Sequence, residues 1–158
     1  MSKHAIRFDL HPVEPEFDHP RPERLLSGNP QRSTWNHYTN ASGEVFAGIW
    51  SSEVGSWRIA MGDREDELFF VTAGRCRLTA DDGHAVECGV GQSLLIPAGF
   101  NGVFDVIEPL TKHYLIVDPD TASVTHYARG DGAEVQTATY TSGMLRLDPP
   151  GLTIDLDI

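Results

Sequence analysis

Between Trp57 and Gly102 the chain is written as short apolar runs cut by glycine and proline at close intervals. At the centre, Glu67-Leu68-Phe69-Phe70-Val71-Thr72-Ala73-Gly74 carries an acidic residue into an aromatic run that closes on glycine. Ser93-Leu94-Leu95-Ile96 follows, bracketed by Gly91 and by Pro97-Ala98-Gly99. Runs this short, rich in β-branched and aromatic residues, suit strands. Turn signals recurring about every eight to twelve residues, with hardly any helical periodicity, mark a sandwich or barrel.

The strand texture begins at Thr34. Strands are expected at 44–50, 56–61, 67–73, 75–79, 85–88, 93–96, 103–107 and 113–117, with Val54-Gly55 and Gly62–Asp66 as turns. Period-two alternation puts Trp57, Ile59 and Met61 on one face. If Asp81-Asp82-Gly83 is a three-residue hairpin loop with Gly83 at its positive-φ position, Cys76 falls opposite Cys88. A cross-strand disulfide is then geometrically conceivable, and two buried free thiols are the reading favoured for a cytosolic chain.

Residues 1–33 read as an arm, punctuated by Pro12, Pro15, Pro20, Pro22 and Pro30, with regular structure confined to a helical turn at Pro22–Leu26. Alternating Ile6, Phe8 and Leu10 suggest a strand added to a sheet edge. Residues 34–118 form the barrel core, and Thr34–Tyr38 is placed to fold over its mouth as a lid. Residues 119–158 supply further strands on the same domain, at Ser123–Tyr127, Glu134–Tyr140, Met144–Leu147 and the alternating Leu152, Ile154 and Leu156. The 158 residues suit one domain with its own core.

Acidic residues outnumber basic ones 23 to 12, a net charge of −11. So acidic a chain repels phosphate backbones and anionic lipid, and its sequence carries no lysine–arginine cluster, so nucleic acid is not expected as a partner. No run of about eighteen apolar residues offers a membrane span, and the first residues lack the apolar core of a secretory signal. A cytoplasmic protein is expected.

The spacing resembles the two motifs of the cupin superfamily, G-x5-H-x-H-x3-4-E-x6-G and G-x5-P-x-G-x2-H-x3-N. Glu67 and Gly74 match the end of the first, and Gly91, Pro97 and Gly99 the start of the second. Within the superfamily the chain looks like the subgroup of ureidoglycine aminohydrolase and the ethanolamine-utilisation protein EutQ. That likeness rests on Gly48-Ile49-Trp50, Gly55-Ser56-Trp57-Arg58, Asp66-Glu67-Leu68-Phe69, Ile96-Pro97-Ala98-Gly99-Phe100 and Lys112-His113-Tyr114, and it covers about residues 44–117. It implies an all-β, RmlC-like jelly-roll barrel, here with extra N- and C-terminal strands. The histidines depart from the pattern: the paired positions hold Met61 and Asp63 (or Ala60 and Gly62), and the third holds Gly102. The aminohydrolase branch binds manganese through Glu, two His and Gln, and that site is not carried over.

Without those histidines, no cofactor is expected, the weaker alternative being a divalent metal near Asp63 and Glu67 joined by a histidine from elsewhere (His37, His84, His113 or His126). Glu67 is the candidate catalytic residue, since a carboxylate in apolar surroundings holds its proton more tightly, as acid/base work near neutral pH requires. Trp50, Trp57, Met61, Phe69 and Phe104 are the candidate pocket wall, and Lys112 and Tyr114 share a face from which they can pair with Glu67 and orient a ligand. The expected function is binding of a small polar metabolite, with metal-independent acid/base catalysis as its enzymatic form, in a homodimer joined by edge strands and arms. The alternatives are a metal-dependent, aminohydrolase-like enzyme of nitrogen metabolism and a non-catalytic regulatory or assembly protein.

Overall fold

A computed structural model describes residues 3–119 and, as backbone, the strands between 124 and 155. Two compact units result, residues 1–120 and 121–158. The first holds a 3-10 turn at Phe8–Leu10 and nine strands: β1 (Glu16–Asp18), β2 (Leu25–Ser27), β3 (Arg32–Thr39), β4 (Val45–Ser52), β5 (Gly55–Ala60), β6 (Asp66–Ala80), β7 (Ala85–Gly89), β8 (Ser93–Ile96) and β9 (Asn101–Val117). No α-helix occurs among the described residues. The second unit contains two antiparallel hairpins, β10 (Val124–Arg129) with β11 (Val135–Tyr140) and β12 (Met144–Leu147) with β13 (Leu152–Asp155). The expected strand ends Ser123, Glu134 and Leu156 lie outside the described residues.

All nine strands join one antiparallel sheet, and β6 and β9 are long because each serves two neighbourhoods. The first limb of β6 pairs with the second limb of β9 (Asp66↔Val117 to Val71↔Lys112), flanked by β8 on one side and by β4, β3 and β1 on the other. The second limb of β6 pairs with the first limb of β9 (Cys76↔Val106 to Ala80↔Gly102), flanked by β7 and by β5 and β2. Between the limbs the register slips at Val71/Ala73, Ala73/Arg75 and Arg75/Cys76, and the ribbon bends. Gly74 sits at that bend with φ +79, and a Cβ there would strike the carbonyl of Pro109 on β9. The sheet therefore curls into a jelly roll with its apolar face inward. Trp57, Leu78, Phe104 and Val106 from one limb pack with Phe69, Val71, Ile96, Leu110 and Tyr114 from the other in a single core.

Several sequence expectations are corrected. The segments 67–73 and 75–79 are one bent strand, as are 103–107 and 113–117, because a glycine or proline at a corner bends a ladder without ending it. Phe8–Leu10 forms a 3-10 turn, so its alternation is not that of an edge strand. Strands β1 and β2 carry the supposed arm into the sheet, and the expected helical turn is a hydrogen-bonded turn over Arg21–Leu25. Thr34–Tyr38 lies within β3, paired to β4, and forms wall where a lid was expected. The Asp81-Asp82-Gly83 hairpin has the expected register, with Cys76 opposite Cys88 and Gly83 at φ +90. Both thiols are buried and free, with the Cys76 thiol donating to the Cys88 carbonyl at 3.7 Å.

Candidate functional site

The curled sheet encloses a cavity of about 700 Å³, within the size range of small-molecule sites. Its position follows from alternation along β9: Leu110, Lys112 and Tyr114 point inward while His113 and Leu115 point out. Glu67 enters from the start of β6, Trp57 and Ile59 from β5, Trp50 from β4, and Phe104 from the first limb of β9.

Lys112, 4% exposed, is the buried cation of the cavity. Its Nζ donates to Glu67 Oε1 at 2.5 Å, in a pair whose side chains are 5% and 13% exposed. The ammonium also lies over three rings, 4.2 Å from the centroid of Phe69, 4.8 Å from Trp50 and 5.3 Å from Phe104. Negative ring faces and a carboxylate together replace the water this charge has lost. Trp57 stacks on Phe104 at 5.3 Å, and Trp50 meets Phe104 edge-on at 6.0 Å, so the aromatic wall is held by its own contacts. The Tyr114 hydroxyl donates to Asn36 Oδ1 at 3.0 Å. Burial, reinforced by the charges of Glu67 and Glu16, pushes that phenol up to about 12, so it is a hydrogen-bond donor at neutral pH.

Each sequence-predicted residue except Phe69 lines the cavity: Glu67, Trp50, Trp57, Met61, Phe104, Lys112 and Tyr114. Phe69 is 1% exposed and lies beneath the Lys112 ammonium, which makes it support and not surface. Glu67 is an ion-paired carboxylate, and its partner is Lys112, the residue placed by alternation to reach it from an inward face. Sequence reasoning missed the wall from β1 and β3, namely Glu16, Asp18, Arg32, Thr34 and Asn36. Arg32 holds Asp18 through two hydrogen bonds and lies 5.4 Å from the Trp57 ring centroid. The signal that could have found them is the alternation Arg32, Thr34, Asn36, three polar residues on one face of β3.

The positions at which related barrels hold a metal do not present a donor set that fits one. Met61 and Gly102 offer no oxygen or nitrogen side chain, exposed Asp63 lies off the cavity wall, and the Glu67 carboxylate already faces a cation. His37 is buried and stacked on Phe8 at 4.3 Å, while His84 and His113 are exposed; none of the three lines the cavity. The side chain of His126 lies outside the described residues. Among the described residues, no group of three or more His, Cys, Asp or Glu is placed to hold a metal ion, and no helix is long and apolar enough to cross a membrane.

Residues 39–114 match the family model described as the EutQ-like cupin domain. No curated protein matches the sequence. Among solved structures, a protein of unknown function from Pseudomonas syringae pv. tomato superposes with a TM-score of 0.59 at 19% identity, over 66% of this chain and 45% of that one. The Clostridium difficile EutQ protein gives 0.51 at 21% identity, over 59% of this chain and 66% of that one. A putative ethanolamine-utilisation protein Q from Salmonella typhimurium gives 0.50 at 14% identity, over 67% and 97%. The chain thus spans less than two thirds of the first two proteins, and at these identities the likeness is one of fold.

Proposed function

We propose, from the match of residues 39–114 to the EutQ-like cupin domain, that the cavity of this chain binds a small polar metabolite without the usual histidine-held metal. The observation that carries this reading is the buried Lys112–Glu67 pair facing a cavity of about 700 Å³ beside an aromatic wall. The pair is a proton donor and a proton acceptor on one short hydrogen bond, so a ligand seated against it meets both partners of an acid/base exchange. Trp50, Trp57 and Phe104 supply apolar contact, and the Tyr114 hydroxyl, held by Asn36, supplies direction.

A thermal-shift screen of small polar metabolites tests the proposal. A ligand at about 100 times its dissociation constant adds roughly 2.7 kcal/mol to stability, and that gain is expected for the native chain and lost in the variants. Glu67→Gln alone leaves a buried ammonium uncompensated at a cost of about 3 kcal/mol, so Glu67→Gln/Lys112→Met, which removes both charges, serves as the second variant. A ligand that stabilises all three proteins equally, or a panel that stabilises none, overturns the reading.

A second reading, self-association, is favoured by the outer face of the sheet. Leu68 on β6 lies between Leu95 on β8 and Leu115 on β9, with Phe70 and Val117 beside them, and all five are exposed. An apolar face of this kind supports a homodimer, compatible with ligand binding inside. The two free, buried thiols suit a reducing compartment, which supports a cytoplasmic setting.

A further inference from the structure

A second cavity, of about 200 Å³, adjoins the first and shares Arg32, Trp57 and Ile59 with it. Four arginines line it, Arg21, Arg24, Arg32 and Arg58. They are scattered in sequence and gathered by hydrogen bonds. The Arg24 amide donates to the Arg21 carbonyl at 2.9 Å, setting those two one turn apart, and the Arg58 amide donates to the Arg24 carbonyl at 2.8 Å, pinning β5 to that turn. Arg32 arrives as the first residue of β3. Arg58 is balanced by Asp81 at 2.6 Å and Arg32 by Asp18. Arg21 and Arg24 have no acidic partner among the described residues.

A third of the twelve basic residues in a chain of net charge −11 thus meet at one small concavity, against the field of the whole molecule. Like charges brought together repel, and an anion between them relieves that repulsion. We propose that this pocket is an anion subsite of the larger cavity: it takes one phosphate or carboxylate group of a small metabolite whose remainder lies beyond Trp57. Guanidinium forks match both groups through paired N–H···O bonds. The larger cavity has the opposite balance, with Glu16, Asp18, Glu65 and Glu67 against Arg32 and Lys112. The ligand is therefore polarised, anionic at the arginine end and neutral or cationic at the other. The inference rests on the proposed pocket for the far end of that ligand, and the arginine end stands test by itself.

The probes are inorganic phosphate and acetate, titrated into the full chain at constant ionic strength with chloride as the control. Calorimetry and tryptophan fluorescence report binding, since Trp57 forms a wall of the subsite. Saturable binding of one equivalent of at least one anion is expected, weakened about tenfold or more in Arg21→Ala/Arg24→Ala, equivalent to about 1.4 kcal/mol. Both side chains are exposed, so the fold is expected to survive. Arg75→Ala/Arg77→Ala removes the same charge from strand β6 and is expected to bind as the native chain does. Tighter phosphate binding assigns a phosphate group, tighter acetate binding a carboxylate. Absence of saturable binding, or equal weakening in both double variants, overturns the subsite. Either result leaves the metabolite screen of the larger cavity to stand or fall separately.

Discussion

Lys112 and Tyr114 stand two residues apart on one strand and answer burial in different ways. The lysine keeps company with a carboxylate and three rings, whereas the phenol keeps its proton and donates it to Asn36. Cys76, fully buried, behaves like Tyr114: burial first, then the neighbouring Cys88, pushes its thiol from an ordinary 9.0 up to about 12, against a smaller opposing pull from Lys112. Both groups are protonated more tightly in the fold than in the unfolded chain, so both contribute stability that is whole below about pH 9. That contribution drains away as the pH climbs towards 12, because the unfolded chain ionises first. The urea midpoint is expected to fall steadily from about pH 9 to about pH 11; a midpoint constant over that range would mean that neither group is held as described. That Lys112 and Tyr114 share a face was legible from alternation alone; which side that face takes was left open by the sequence, and burial of Leu110, Lys112 and Tyr114 together shows it to be the inner one. Arg21, Arg24, Arg32 and Arg58 were not legible, since only the β2–β5 pairing and a turn bring together residues so far apart in sequence.

At the scale of elements, the corner of β6 decides the architecture. A residue with a side chain at Gly74 meets two obstacles: a backbone in left-handed space and the carbonyl of Pro109. Gly83, at the hairpin tip, meets the first alone, because nothing lies within 4 Å of a Cβ placed there. Gly83→Ala is therefore expected to cost about 1 kcal/mol, and Gly74→Ala more than about 3 kcal/mol, the excess coming from the forced parting of β6 and β9. Chemical denaturation of the two variants measures the difference; equal costs would show that the corner yields. Strand positions were legible wherever alternation ran between turn residues, as at Ser93–Ile96. Continuity was not, because glycine ends a ladder in one context and bends it in another, and the carbonyl that chooses between them lies 35 residues away at Pro109. For the same reason prolines in the first 33 residues suggested an arm, although Pro20 and Pro30 are buried and β1 and β2 pair into the sheet.

For the whole molecule, the exposed band of Leu68, Phe70, Leu95, Leu115 and Val117 makes a definite expectation. Light scattering at about 50 µM should give twice the chain mass, and Leu68→Lys/Leu95→Lys should halve it without loss of the sheet signal in circular dichroism. A native chain of single mass would remove the homodimer. The jelly roll itself was the most legible feature, because its turn spacing is a property of the chain as a whole.

Sharing β6 and β9 between both limbs also governs how fast the molecule can arise. The hairpins β3–β4 and β6–β7 are local, but the two limbs join only when residues 66–80 find residues 101–117 across the intervening chain. Closure over that distance precedes the packing of one limb on the other, and so the first unit is built to assemble slowly and, once its two long ribbons have met, to hold both limbs together.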